Sequence, residues 1–243
     1  MEAIKTEKLV KKYKDKTAVK GLDLTVHQGE LYGLLGVNGA GKSTTIKMLS
    51  CLTQPTSGDA QVMGHSVVKA SDQVKAIMNV SPQETAVAAK LSVRENLEFI
   101  ARIYGSDKKE AKAKADKMLE DFSMQEIEKS RAATLSGGWQ RRLSIAMALI
   151  TDPEVLFLDE PTLGLDVLAR RELWNFISGL KGRMTIILTT HYLEEAESLC
   201  DRIGIMSRGE LRAEGTAEEL KAKAGTDNFE EAFIKIAGEG VQK

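Results

Sequence analysis

The 243-residue sequence predicts an α/β fold built on a mostly parallel sheet and interrupted by an all-helical insertion. Three observations carry this expectation. Short, continuously apolar runs at "ELYGLLG" (30–36), "VLFL" (155–158) and "TIILTT" (185–190) alternate with helical segments, as strands buried on both faces of a parallel sheet do. The polar residues with chemical potential sit where those runs end, the usual ligand edge of an open α/β sheet. From about Leu91 to Thr151, by contrast, the pattern is helical throughout.

Taken in order, the N-terminal "MEAIKTEKLVKKYKDK" alternates charged and apolar residues and lacks the apolar centre of a signal peptide. "ELYGLLG" leads into a helix over "GKSTTIKMLSCL". "SVRENLEFIARIYG" reads as a helix, with Ser92 and Glu95 at capping-box spacing. The Lys/Glu/Ala-rich piece at 107–120 reads as a solvated helix face. After Ser136, the residues Trp139, Leu143, Ala146, Met147 and Ile150 fall on one face of a further helix. Asp152-Pro153 breaks the chain before "VLFL", and "LEEAESLC" is helical. "CDRIGIMSRGELRAEG" (200–215) predicts a hairpin turned at Ser207–Gly209, and "AEELKAKA" and "FEEAFIKIAG" predict two short tail helices. With no repeat or low-complexity linker, the expected organisation is a single unit. Residues 1–87 and 152–215 form the α/β core, 88–151 a helical subdomain and 216–243 a helical tail.

Composition narrows the function classes. A net charge of −1 gives no general attraction to nucleic acid or to an acidic membrane surface. No apolar run approaches the roughly 18 residues needed to span a bilayer, so a membrane function requires a span from another chain. Cys51 and Cys200 are far apart and read as reduced, apolar fillers. The three histidines, His27, His65 and His191, have no ligand spacing with each other or with the cysteines, which argues against a structural metal site.

The stretch from Gly36 to Ser43, "GVNGAGKS", matches G-x-x-x-x-G-K-[ST] between an apolar strand and a helix. Glycines let the backbone wrap closely, so that N–H groups of Asn38, Gly39, Ala40, Gly41 and Thr44 face phosphate oxygens at a helix N-terminus. Lys42 is placed to reach the β- and γ-phosphates, and the Ser43 hydroxyl to hold Mg²⁺. In "VLFLDE", Asp159 can orient that metal and Glu160 can polarise an attacking water. His191, at the next strand end, can contact the γ-phosphate or that water. Tyr13 has two open readings, a stacking platform for a nucleotide base or a half-exposed strand tyrosine.

A second glycine pair, in "LSGGWQRR" (135–142), opens another helix whose N-terminus offers free N–H donors. Arg141 and Arg142 are expected in its first turn, where cations are disfavoured by about 0.3–1 kcal/mol each; they are expected to pair elsewhere or to add to a positive field. The first cradle already surrounds much of a phosphate chain, so the second is expected to serve a different nucleotide.

Together these segments resemble the ATP-binding-cassette ATPases, over roughly residues 3–220. "GVNGAGKST" resembles the Walker A loop, "LSGGW" the signature loop, "VLFLDE" the Walker B strand and "PTLGLD" (161–166) the D-loop. "SPQE", with Gln83, resembles the Q-loop, His191 the switch histidine and Tyr13 the adenine-stacking aromatic. The resemblance implies a P-loop NTPase fold, RecA-like with an N-terminal antiparallel β subdomain, plus the inserted helical subdomain carrying the signature. It implies ATP and Mg²⁺ as cofactors, with Ser43, Asp159 and Gln83 serving the metal. It implies Glu160, His191, Gln83 and Lys42 in catalysis. It further implies head-to-tail dimerisation with a second ATPase subunit, the same chain or a close paralogue, so that Ser136, Gly137, Gly138 and Asp166 act on the partner's nucleotide.

Permease subunits on separate chains would supply the membrane spans, placing this chain in the cytoplasm on the inner face of the cell membrane. Within the family the texture of "TTHYLEEAESLCDRIGIMSRGELRAEGT" and of the tail is similar to drug-exporter-like cassettes. Val37, Leu163 and Trp139 depart from the usual family residues, and none removes a catalytic group. A soluble cassette acting on nucleic acid or ribosomes is the alternative. A single cassette without basic patches, and the charge balance, argue against it and against any nucleic-acid partner.

Overall fold

The computed structural model describes residues 1–238, so positions 239–243 of the expected tail lie outside the described residues. The chain opens with β1 (Glu2–Tyr13) and β2 (Lys16–His27), then β3 (Leu31–Leu35) and α1 (Lys42–Leu49). Next come β4 (Ser57–Val62), the two-residue β5 (His65–Ser66), α2 (Ser71–Ile77) and β6 (Met78–Ser81). The helical stretch holds α3 (Val93–Ile103), α4 (Lys108–Asp121), two single 3₁₀ turns and α5 (Gly137–Leu149). After it follow β7 (Val155–Asp159), α6 (Val167–Ser178), β8 (Thr185–Thr190), α7 (Leu193–Leu199), β9 (Arg202–Ser207) and β10 (Glu210–Gly215). The tail is α8 (Ala217–Ala224) and α9 (Phe229–Gly238).

Two sheets result. The first, in the order β2-β1-β4-β5, is antiparallel. The second, β10-β9-β3-β8-β7-β6, is parallel except for the β9–β10 edge hairpin. This is the P-loop NTPase arrangement, with the antiparallel sheet as its β subdomain. Every residue of β3, β7 and β8 is buried, which is why those strands read as unbroken apolar runs. Their side chains still alternate by face. Leu31, Leu156, Leu158, Ile186 and Leu188 join a core with the helical stretch, whereas Tyr32, Leu34, Val155, Phe157 and Ile187 join one with the antiparallel sheet. A third cluster packs Leu35, Ile203 and Ile205 under the tail through Leu220, Phe229 and Ile236.

The Ser92–Glu95 capping box forms with both reciprocal bonds, and Asp107 with Glu110 makes a second one that starts α4. α4 is solvated on one face only; Ala111, Ala115, Met118 and Leu119, at helical spacing, are buried. α5 departs from the expectation of a single apolar face: Arg141 and every residue from Leu143 to Leu149 are buried. The helix runs between α3, α6 and strands β6 and β7, so neighbours cover it on all sides. Arg141 and Arg142 stand a full turn inside it rather than in its first turn.

The register sets the stage for the site. Leu35 pairs with Thr190, Asp159 with Thr189 and Ser81 with Leu158. Four neighbouring parallel strands therefore stop level at their carboxyl ends, each delivering its following loop to one edge.

Candidate functional site

At that edge the 36–44 loop wraps into α1. Gly36 is required by close approach, since a Cβ there would lie 2.4 Å from the Met206 carbonyl oxygen. Gly41 takes φ +109° to cap the helix without a side chain, a conformation that L-residues with a Cβ rarely adopt. The loop borders a cavity of 430 Å³ whose other walls come from Lys16, Ala18, Gln83, Glu160, Leu163 and His191. Asn38, Gly39, Ala40, Gly41, Lys42, Ser43 and Thr44 all line it.

Lys42 is only 4% exposed. Its ammonium donates to the Gly36 carbonyl at 2.7 Å and pairs with Glu160 Oε1 at 3.5 Å. The other carboxylate oxygen of Glu160 lies 2.7 Å from His191 Nδ1, so three side chains form one line across the cavity. Glu160 reaches this position through a left-handed backbone, φ +48°, unusual for a residue with a Cβ. Its N–H is held by the Thr189 carbonyl at 3.1 Å and the Thr189 hydroxyl at 3.0 Å, which offset the strain of about 1–3 kcal/mol.

Asp159 faces the other way. Its Oδ1 accepts from the Ser43 hydroxyl at 3.0 Å and from the Thr189 hydroxyl at 2.5 Å. Thr189 thus anchors the Asp159 carboxylate and the Glu160 backbone N–H. Sequence reasoning passed over it, and the only signal was a hydroxyl residue close before His191 at the end of an otherwise apolar strand.

Arg141 was expected to pair elsewhere or to add to a positive field, but its partners were not foreseen. It is 4% exposed, and its guanidinium donates to the Asp159 and Pro161 carbonyls, both at 2.8 Å, and to the carbonyl of Pro82. The Nη1 that donates to Pro82 also donates, at 3.4 Å, to the Gln83 carbonyl. Burial lowers the pKa of this group to about 10, so it remains a cation at neutral pH. Of the two expectations, pairing elsewhere is the one observed, and its partners are backbone carbonyls. Arg142 pairs with Glu172 and lies 4.7 Å over the Trp139 ring. Trp139 itself is half-buried against the helical core.

The remaining sequence-predicted residues lie away from the cavity. Ser136 caps α5 by accepting from the Trp139 N–H, and a Cβ on Gly137 would meet no atom within 4 Å. Gly138 packs against the start of α6, where a Cβ would come 3.3 Å from that of Ala169. Asp166 caps α6, accepting from the N–H groups of Leu168 and Ala169, both at 2.9 Å. Ser136, Gly137, Gly138 and Asp166 therefore lie outside the lining of this chain's own cavity, although Leu163 of the 161–166 segment lines it. Tyr13, 45% exposed, is not among the lining residues; it pairs across the β1–β2 turn with Lys16, which is.

The sequence profile described as ABC transporter matches residues 19–163, more than half of the chain. The chain belongs to the ABC transporter family. It is an ATP-binding subunit of the ATPase class, and its relatives bear this out. The daunorubicin resistance ATP-binding protein DrrA3 of Streptomyces coeruleorubidus is 44% identical over 98% of this chain and 75% of its own length. The linearmycin resistance ATP-binding protein LnrL of Bacillus subtilis is 42% identical over 93% of this chain and 73% of its own. Among solved structures, an ATP-binding subunit of an ABC transporter superposes with a TM-score of 0.85 at 27% identity, covering 96% of this chain and 99% of that one. Among the described residues no helix is long and apolar enough to cross a membrane.

Proposed function

We propose that the cassette hydrolyses ATP with Glu160 as the base that polarises water, His191 as its orienting partner and Lys42 as the phosphate-neutralising cation. The line Lys42–Glu160–His191 across the loop cavity carries this reading. A triphosphate offers Lys42 a stronger partner than the Gly36 carbonyl and Glu160, which releases the Glu160 carboxylate for water while His191 keeps hold of it. Ser43 Oγ and Asp159 Oδ1, 3.0 Å apart beside the cavity, are hard oxygen donors that suit Mg²⁺, which takes few protein ligands and fills its shell with phosphate and water. Gln83 adds a side chain to the same wall. When bound, the metal neutralises charge on the β- and γ-phosphates. Tyr13 is the adenine platform, reached from the β1–β2 turn.

In this reading 1–87 with 152–215 binds the nucleotide, 88–151 carries the signature turn and 216–243 is a helical tail, whose described residues pack under the sheet edge. Ser136, Gly137, Gly138 and Asp166 act on the nucleotide of a second ATPase subunit, the same chain or a close paralogue. The exposed apolar side chains of Val37, Leu163, Val167 and Leu168 around that edge support such a contact. On α3, Phe99 and Ile103 are exposed beside Glu95, Glu98 and Arg102 around a groove of 560 Å³, which suits a cytoplasmic helix of a separate permease. That contact would hold the chain on the inner face of the membrane. The names of the relatives support export of drug-like molecules through that permease.

Glu160→Gln keeps the shape and removes the base. The expected result is ATP binding at wild-type affinity, turnover reduced at least about 10³-fold and accumulation of a nucleotide-bound dimer. Turnover at the wild-type rate would sink the assignment.

A further inference from the structure

The turn after β7 and the turn after β8 each carry one member of the Glu160–His191 pair. Strand pairing and the two Thr189 bonds to the Glu160 N–H fix where the turns begin. One side chain behind the site ties them together again further along. Glu195 lies one helical turn past His191, in the first turn of α7, and is 0% exposed. Its Oε1 accepts from the Thr162 hydroxyl at 2.8 Å, and Thr162, also buried, is two residues past Glu160. The same oxygen accepts from Trp174 Nε1 of α6 at 3.0 Å. A small ring closes in this way. It runs from Glu160 through Pro161 to Thr162, across to Glu195, back along α7 to His191 and across the 2.7 Å contact to Glu160.

A second strut supports the same histidine. Its ring lies 4.3 Å from that of Tyr192, and the Arg170 guanidinium of α6 sits 5.0 Å over the Tyr192 ring. Arg170 also acts electrostatically on Glu195. Burying a carboxylate here is unfavourable and lifts its pKa, with hydrogen bonds and the Arg170 charge working the other way. A core position that needed only volume would be filled by a leucine at less cost. A carboxylate is useful where one rigid acceptor must hold donors from separate elements.

We propose that Glu195 is a positioning residue for hydrolysis: by tying Thr162 to α7, it sets the spacing between Glu160 and His191. The proposal rests on the assignment of Glu160 as base and extends it to a buried residue outside the cavity. Glu195 touches neither nucleotide nor water; it acts through the two turns that it joins. The loop it restrains runs on through residues 161–166 to Asp166, so the tie also links the D-loop to the helix that follows His191.

The test compares Thr162→Val, Glu195→Leu, Glu195→Gln and the double variant Thr162→Val/Glu195→Leu in the full chain with MgATP. It measures kcat, ATP affinity and melting temperature separately. Thr162→Val keeps the shape and removes one donor; Glu195→Leu keeps bulk and removes the acceptor. Both are expected to lower kcat at least tenfold with ATP affinity within twofold, and the double variant to be no slower than Glu195→Leu alone. Glu195→Gln retains an acceptor at Oε1 and is expected to hold kcat within threefold of wild type.

A wild-type kcat in Thr162→Val, or a Glu195→Leu protein that only melts earlier, overturns the proposal. Multiplicative losses in the double variant overturn it too, since the two changes would then break different things. Glu160→Gln, run alongside, separates the two levels. If it retains turnover, the base assignment has failed. If it is inactive while Thr162→Val is fully active, only the positioning role has failed.

Discussion

Replacing Arg141 by alanine should damage both stability and turnover, and the size of the first effect can be worked from its contacts. The guanidinium holds the carbonyls of Asp159, Pro161 and Pro82. Pro82 is only half-buried and can recruit water once the donor is gone, so its loss costs little. Asp159 and Pro161 are buried, and each carbonyl left without a donor costs about 1–3 kcal/mol, about 4 kcal/mol for the pair at mid-range. Removing the cation also recovers part of the desolvation that pulls its pKa down to about 10. The balance is a loss of about 3 kcal/mol. Arg141→Lys keeps the charge but presents one ammonium where a planar fork spans three carbonyls, so roughly half the loss is expected. Urea unfolding followed by the fluorescence of Trp139 and Trp174 measures both variants. Because the same fork joins the signature helix to the turns holding Gln83 and Glu160, turnover of folded Arg141→Ala should fall at least about tenfold. A stability loss under about 0.5 kcal/mol would show that water replaces the guanidinium. Full turnover in the folded variant would show that the link carries no catalytic geometry.

Three further outcomes follow from contacts of other kinds. Gly137→Ala adds a methyl that meets nothing within 4 Å in its own chain. Stability should hold or rise by up to about 1 kcal/mol while turnover falls about tenfold or more; full turnover would mean that no partner nucleotide comes close to this turn. Trp139→Gln removes the surface under Arg142 and should cost about 1 kcal/mol while leaving turnover within about threefold. A collapse of turnover in that variant, with the fold intact, would give the indole a role at the nucleotide. For Glu195 the sign of the pH effect is set by burial, which raises the folded-state pKa above the unfolded one. Its contribution to stability is therefore fully present below the unfolded value, about 4.3, and is lost as pH rises through the folded value. Glu195→Gln, neutral at every pH, should melt higher than wild type at neutral pH, with a gap that narrows as pH falls toward the unfolded value. A gap independent of pH would mean that the carboxylate is not buried as a charge.

Much of the architecture was legible because its signals are contiguous. Strands buried on both faces leave unbroken apolar runs, which is how β3, β7 and β8 stood out, and the glycine pattern at 36–41 marks a close backbone turn irrespective of what packs around it. The hairpin at Ser207–Gly209 and the two tail helices are local in the same sense. α5 was misread for the complementary reason. Leu143, Ala146 and Met147 fit a one-faced helix, and only the elements around it decide that Ile145 and Ala148 are covered as well. Periodicity reports one buried face; it has no signal for a helix enclosed on all sides.

The side chains that hold the site together were the illegible part, and they share a physical property. Arg141 finds its acceptors 18 and 20 residues away in one direction and 59 in the other, and all of them are backbone carbonyls, which carry no residue identity. Glu195 finds Thr162 at 33 residues, with the donor hidden inside a run whose resemblance drew attention to Asp166 instead. Near a helix N-terminus an arginine reads either as a cation that pairs elsewhere or as part of a field for anions, and only the packing of distant elements decides for the first and supplies its partners. The proposed reactive groups fall in short motifs because phosphate and metal chemistry demands particular atoms at fixed spacing. Their support is chosen by the packing of distant elements, so burial of a charge, rather than any motif, is the observation that finds it. Arg141 and Glu195 are both charged and almost fully buried outside the lining of the cavity, and both run to the residues just after Glu160. That convergence makes the 160–162 turn a segment held from two sides by buried charge.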